Sequence, residues 1–562
     1  MTTRRQPNLI SIPSPRLASG VALVLAATMT SVPVLCSVQQ SSPSRDAASR
    51  ASAALEQLRS DINSIIAHPA FARAGWGVKV ASLATGKILF EHNPQKYFTP
   101  ASNAKLFSAA LALNNLGPDY RIETSLYAGC SPNASGTLDS DLIVYGRGDP
   151  DFRAGLHSGD YQAALEPLAA ALVKAGIRRI NGDLIGDQSY FSGPPYGSGW
   201  EWDDFQWYYG AEVSALSIND NSLDLWVRPG PHPGAAARVA TGPSTSLITL
   251  MNRATTVPAG GKRRIGVYRP VGENIIYVSG TVPMGDSGFT GYVAIHDPGL
   301  LFVMMLREVL GRQGISVSGR TRTVDWKYRE VTPLDKNKLK CLGSVFSRPL
   351  SEIVKDTLKR SQNLYAQLLL LQVGAKADAE RKAVHTSDPE SRPARAPAVA
   401  TAGEAGEEEF SDRTTEQSGL DAMNVFLKSI TPAGSQSLEE GSGLTYRNEV
   451  SAESIVNLLI YMSSHRFAQV FRESLPVAGV DGTLQSRMKA TPAAGNLRAK
   501  TGTLTHVVTL SGYVTSAAGE PIVFSILLNG AGSGEGISGR EAVDKIAVLL
   551  ASLSEASQGL KR

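Results

Sequence analysis

Three short polar elements lie far apart on this chain in a definite order: Ser102-Asn103-Ala104-Lys105, then Ser361-Gln362-Asn363, then Lys500-Thr501-Gly502. A Ser-x-x-Lys pair, a Ser-x-Asn triplet and a Lys-Thr-Gly triplet make one acyl-transfer centre when a fold gathers them. Any architecture for this sequence must therefore bring its early and late parts together while the stretch between them loops out. Each element alone is weak, because Ser and Lys at this spacing occur by chance in a long chain. Ser486 and Lys489 show as much: they have the spacing, but they come after Ser361 and sit between a Gly-containing turn and Pro492.

The surroundings of Ser102 fit chemistry better than accident. Thr99 and Pro100 read as a helix start, and Leu106, Phe107, Ala109, Ala110, Leu111 and Leu113 continue it as a long apolar helix. Positions three apart share a helix face, so Ser102 and Lys105 come within hydrogen-bond reach. A helix apolar nearly all round is buried, and burial disfavours the charged form of a lysine. A neutral amine can accept the serine proton. The bland alternative is a capping serine followed by a snorkelling lysine.

Lys500, Thr501, Gly502 and Thr503 precede a strand pattern over residues 507–514, a turn at Ser516–Glu520 and a second strand over 521–528. Lys500 thus opens the edge of an antiparallel hairpin. Gly502 permits close approach of another backbone, Thr501 and Thr503 offer hydroxyls, and Lys500 offers a fixed positive charge to an anionic substrate end. Ser361 and Asn363 interrupt two apolar helical runs, 350–358 and 364–370. Read as chemistry, Ser361 shuttles a proton near the leaving group and Asn363 holds Lys105 and a substrate carbonyl.

In this order, with this gap after the first, the three elements resemble the low-molecular-mass penicillin-binding proteins of the D-alanyl-D-alanine carboxypeptidase and endopeptidase type. Gly146-Arg147-Gly148-Asp149-Pro150, Ile180-Asn181-Gly182-Asp183-Leu184, Trp200-Glu201-Trp202 with Tyr208 and Tyr209, Gly441-Ser442-Gly443-Leu444 and Asp481-Gly482-Thr483-Leu484 match as well. The likeness covers about residues 54 to 555. It implies an α+β fold: a serine penicillin-recognising, β-lactamase-like domain with an antiparallel sheet packed by helices and interrupted by inserted β-rich accessory domains. It implies Ser102, Lys105 and Ser361 as catalytic residues, and Asn363, Lys500, Thr501, Gly502 and Thr503 as substrate-binding. The backbone N–H groups of Ser102 and Thr503 would form the oxyanion hole. Peptidoglycan stem peptides and β-lactam antibiotics would be the partners, with no cofactor and no metal. Two departures stand out: Gln362 where relatives often carry Asp, and Glu440 where they usually show Asp.

Length and composition bound the rest. A chain of 562 residues suggests roughly three or four units at about 100 to 200 residues each. The expected divisions are an export signal or anchor at 1–36, a tether at 37–53, catalytic parts at 54–117 and 341–562, and an insertion at 118–340. Residues 376–417, rich in Ala, Glu, Arg and Pro, read as a disordered surface loop. A net charge of +4 over 55 basic and 51 acidic groups, with no basic block interleaved with aromatics, excludes a nucleic-acid partner. No Cys/His cluster has metal spacing. Cys130 and Cys341 either pair or remain lone thiols.

Arg4, Arg5 and Arg16 precede the apolar run Leu17 to Leu35, an export pattern whose length also suits an uncleaved anchor. Membrane contact is expected there at most, and the body is expected in the periplasm or cell envelope. Two rivals remain: a β-lactamase or esterase using the same serine and lysine, which would turn nitrocefin over, and a non-catalytic wall-binding protein, which would bind muropeptides without releasing D-alanine. The pattern leaves open whether free ends or cross-links are cut.

Overall fold

The computed structural model describes residues 45–387, 413–432, 434–532 and 536–557. The expected export segment, 1–36, and residues 37–44 of the tether lie outside the described residues. The rest of that tether is not extended: it opens helix Arg45–Ile66, which begins ahead of the expected start at Ala54. Ala51, Leu55, Leu58 and Ile62 make a buried stripe at helical spacing, and this stripe holds the early turns in place.

The central sheet has five antiparallel strands in the order Arg498–Leu504, Val507–Thr515, Pro521–Asn529, Gly75–Ser82, Ile88–His92. Early and late parts of the chain therefore share it, with Gly75 opposite Asn529 and Ser82 opposite Ile522. Helices cover both faces. Ala81, Val523 and Leu527 pack with Phe107, Leu111, Ile353 and Leu458 on one side. Val78, Val80, Phe524, Ile526 and Leu528 pack with helices Arg45–Ile66 and Gly539–Ser552 on the other. Burial on both faces explains why residues 522–528 read as an apolar run broken only by Ser525. Each fully buried Leu, Ile or Phe in these layers contributes about 1.5–3 kcal/mol relative to exposure. Ser525 is polar for a reason: its hydroxyl accepts from Ser511 (2.9 Å), which accepts from Asn103 (2.8 Å), so a buried polar thread ties the Ser102 turn to the sheet.

The stretch expected as a β-rich insertion is mixed, with helices as well as strands. Its five-stranded sheet runs Thr321–Val324, Leu184–Asp187, Leu142–Tyr145, Glu123–Ala128, Lys340–Phe346. The first three strands are parallel and the last two pairings antiparallel. Helices Glu166–Lys174 and Pro298–Arg312 pack against it. Three three-stranded sheets accompany it: Thr249–Val257, Ile275–Pro283, Arg264–Tyr268; Phe289–Ala294, Ser222–Arg228, Arg238–Gly242; and the short Ser316–Val317, Arg179–Ile180, Thr137–Leu138. Because Lys340–Phe346 pairs with Glu123–Ala128, this sheet closes past residue 340.

The expected disordered loop is helical at its start. Helix Asn363–Ser387 continues beyond Lys376, supported by a Lys376–Glu380 ion pair at 2.5 Å and an Arg381–Asp378 pair at 2.8 Å. Residues 388–412 lie outside the described residues, and helix Thr415–Lys428 follows. Cys130 and Cys341 are free thiols. Among the described residues no helix is long and apolar enough to cross a membrane.

Candidate active site

Ser102 sits in a 3₁₀ turn, Ala101–Asn103, that runs into helix Ala104–Leu116. The expected first helical turn is thus tighter than an α-helix, with Ala101 in the left-handed region at φ 46°. Two glycines make the tight packing around this turn possible. A Cβ on Gly443 would stand 2.0 Å from the Ala101 oxygen, and one on Gly502 would stand 2.1 Å from Thr509 Oγ1 and 2.8 Å from the Pro100 oxygen. Thr509 Oγ1 donates to that Pro100 oxygen at 2.9 Å.

Lys105 is fully buried. Its Nζ lies 2.9 Å from Ser102 Oγ, donates to Asn363 Oδ1 at 2.6 Å and donates to the Ser442 carbonyl. Desolvation pushes its pKa down to about 7, against the opposing attraction of Glu440.

The second element occupies a break between helices. Helix Leu350–Lys359 ends, Ser361 turns through φ 59°, and helix Asn363–Ser387 begins. Asn363 is held at both ends of its amide, since Nδ2 donates to the Tyr209 carbonyl at 2.8 Å. Ser361 Oγ accepts from Lys500 Nζ at 2.8 Å. Lys500 also donates to the Thr501 carbonyl at 2.8 Å.

Lys500 is fully buried, and burial together with the Lys105 amine pushes its pKa well down. The sequence reading expected a fixed positive charge at this position, without its burial. Burial and the neighbouring amine both act against the ammonium form of Lys500. Thr501 turns its hydroxyl to Thr483 at 2.7 Å, while Thr503 is exposed at the rim.

The structure therefore links Ser102, Lys105 and Asn363 by direct contact, joins Ser361 to Lys500, and sets Gly502 against the Ser102 turn. Ser486 and Lys489, the misleading pair, are both exposed. The sequence reading passed over the Ser442 carbonyl, Glu440 as part of the site, Thr483 and the Tyr209 carbonyl. The family-like stretches Trp200-Glu201-Trp202 with Tyr208 and Tyr209, Gly441-Ser442-Gly443 with the preceding Glu440, and Asp481-Gly482-Thr483 pointed toward them without assigning a role. Among the described residues no group of three or more His, Cys, Asp or Glu is placed to hold a metal ion.

A helix-covered antiparallel sheet with a serine turn, a Ser-x-Asn break and a Lys-Thr-Gly strand meeting at its edge is the α+β fold of the serine penicillin-recognising enzymes. Within that class the chain belongs to the D-Ala-D-Ala carboxypeptidase 3 (S13) family, whose sequence model matches residues 58–389 and 402–552. It is 33% identical over 521 residues to a D-alanyl-D-alanine carboxypeptidase of Actinomadura sp. (strain R39), covering 90% of this chain and 87% of that one. It is 25% identical over 462 residues to the D-alanyl-D-alanine carboxypeptidase DacB of Haemophilus influenzae, covering 82% and 86%. The crystal structure of penicillin binding protein 4 (dacB) from Haemophilus influenzae superposes with a TM-score of 0.68 at 24% identity, covering 87% of this chain and 97% of that one.

Proposed function

We propose that this protein hydrolyses the bond following a D-alanine in peptidoglycan stem peptides through an ester on Ser102, and that penicillins acylate the same oxygen. The carrying observation is the Lys105 amine, 2.9 Å from Ser102 Oγ and completely out of water. A neutral amine has two N–H groups and one lone pair. The Asn363 and Ser442 oxygens take the two N–H groups, which leaves the lone pair facing the Ser102 hydroxyl.

The steps follow from this. Ser102 Oγ attacks the carbonyl carbon between two D-alanines as its proton passes to Lys105. The backbone N–H groups of Ser102 and Thr503 hold the oxygen that gains negative charge. The C–N bond then breaks as the proton that Lys105 took from Ser102 passes by way of Ser361 to the departing amine, which returns Lys105 to its neutral form. Water, giving a proton to Lys105, attacks the ester carbon; the C–O bond to Ser102 breaks, Lys105 returns the proton to Ser102 Oγ, and the shortened peptide leaves. The substrate's terminal carboxylate supplies the counter-charge that Lys500 lacks, with Thr501 and Thr503 as further donors. In a β-lactam the leaving amine remains tethered to the acyl group, so it blocks water and the ester persists. Cross-links built on a D-centre present the same bond to the same groups.

Peptidoglycan lies outside the cytoplasmic membrane, and the basic then apolar stretch before Cys36 fits export to the envelope. The test is a fluorescent penicillin label together with mass analysis of defined muropeptides. Wild type takes the label and shortens pentapeptides by one D-alanine, while Ser102→Ala does neither. A labelled Ser102→Ala variant, or rapid nitrocefin turnover without D-alanine release, rejects the assignment.

A further inference from the structure

Glu440 is 1% exposed and sits immediately before the Gly441-Ser442-Gly443 loop. Four donors surround its carboxylate. Oε2 accepts from the Ser442 N–H at 2.6 Å and from Trp200 Nε1 at 3.2 Å; Oε1 accepts from Asn448 Nδ2 at 2.7 Å and from the Gly443 N–H. The Gly443 N–H and the Ser442 carbonyl belong to one peptide group, and that carbonyl accepts from Lys105 Nζ. A carboxylate on the N–H end of a peptide polarises it and makes its oxygen a stronger acceptor. One peptide group therefore separates a buried anion from the amine beside Ser102.

We propose that Glu440 is a positioning residue for the Ser102 reaction: through the Ser442–Gly443 peptide it fixes a carbonyl on Lys105 and supplies the negative charge that lets this buried amine take up a proton. The inference rests on the reading of Ser102 as nucleophile and Lys105 as base. Without such a charge, desolvation acts unopposed against the ammonium form of Lys105. The charged groups facing Lys105 are Glu440 from the loop and Lys500 from the edge strand. Glu416, on helix Thr415–Lys428, comes next: Gln367 Nε2 donates to it at 2.5 Å while Gln367 Oε1 accepts from the Gly441 N–H at 2.8 Å. Trp200 comes from the inserted region, so that region takes part in holding the anion.

The test is the pH dependence of acylation of the full chain by a fluorescent penicillin. In wild type the rate falls on the acid side as Lys105 takes a proton, with a limb at about pH 7. Loss of a neighbouring negative charge disfavours the ammonium, so Glu440→Gln moves this limb to lower pH by about one unit and lowers the plateau about three- to fivefold as the base weakens. Glu440→Asp keeps the charge at shorter reach and moves the limb less in the same direction. Glu416→Gln moves it less than Glu440→Gln does. A limb unmoved in both Glu440 variants, or moved equally by Glu416→Gln, overturns the proposal. Should Glu440→Gln fail to fold by circular dichroism, Glu440→Asp decides, and a limb at the wild-type pH then overturns it. A wild type that takes no label, or a Ser102→Ala variant that does, rejects the nucleophile assignment instead.

Discussion

At the scale of single residues the site depends on atoms packed closer than a side chain would allow. Gly502 faces the Thr509 hydroxyl and the Pro100 carbonyl, the second of which lies in the turn that presents Ser102. Gly502→Ala must push the edge strand away from that turn, and a displacement of about 1 Å at a reacting centre costs about 10²-fold in rate. We expect the second-order rate of penicillin acylation to fall by about that factor while circular dichroism is retained. A loss under about threefold would show that the strand and the turn move independently. Gly502 was legible in the sequence because a glycine inside a strand pattern signals close approach, and the Ser102–Lys105 contact was legible because helical spacing dictates it. The Ser442 carbonyl was not, since any residue carries a carbonyl and only tertiary structure aims one at an amine. The burial of Lys500 was not legible for a related reason. Local pattern showed a strand entry, whereas burial and the amine of Lys105, far away in sequence, are what lower its pKa.

Among the elements, the break between helices Leu350–Lys359 and Asn363–Ser387 is the one most in need of support, because Ser361 there adopts a left-handed backbone. The support comes from the insertion. Asp220 accepts from Arg360 Nη2 at 2.5 Å and from the Tyr365 hydroxyl at 2.6 Å, and these two residues flank Ser361 and Asn363. Asp220 itself lies in a run of three left-handed residues, Asn219 to Asn221. Asn219 Oδ1, accepting from the Ala154 N–H at 2.8 Å, and Asn221 Oδ1, accepting from the Ile218 N–H at 2.9 Å, offset that strain. Asp220→Ala removes hydrogen bonds to a cation and a buried phenol, so a stability loss of about 1.5–3 kcal/mol is expected. Acylation should slow about tenfold as Ser361 and Asn363 lose their alignment. Thermal unfolding and label kinetics read the two effects separately, and unchanged kinetics with lowered stability would make the brace purely structural. The two helices were visible as apolar periodicity at 350–358 and 364–370. The brace was invisible, because its carboxylate is supplied by a distant turn that only the folded chain brings near.

For the molecule as a whole, the order of the three polar elements already required early and late segments to share one sheet, whereas the parallel pairings of the inserted sheet had no sequence signature in strands of four residues. Chain continuity leaves few links between the two sheets: the path out after Leu116 and the path back after Phe346. A charged clamp reinforces the return path. Asp151 accepts from Arg348 at its backbone N–H (2.8 Å), Nε (3.1 Å) and Nη2 (2.7 Å), and Asp356 accepts from Arg348 Nη2 and Arg153 Nη2, each at 2.6 Å. Asp356 belongs to the helix that ends just before Ser361, while Asp151 and Arg153 belong to the insertion. Asp356 therefore bridges two guanidinium groups from opposite sides of the junction, one of which Asp151 also holds. Asp356→Ala takes the carboxylate from the partly buried Arg153 and leaves Arg348 to Asp151 alone, a loss of about 1.5–3 kcal/mol concentrated where the two sheets communicate. Calorimetry should then show the single wild-type transition broaden or divide as the inserted sheet unfolds ahead of the Ser102 sheet. If the variant instead melts in one sharp step at the wild-type temperature, the apolar clusters alone bind the two sheets into a cooperative unit and the arginine clamp contributes nothing to it.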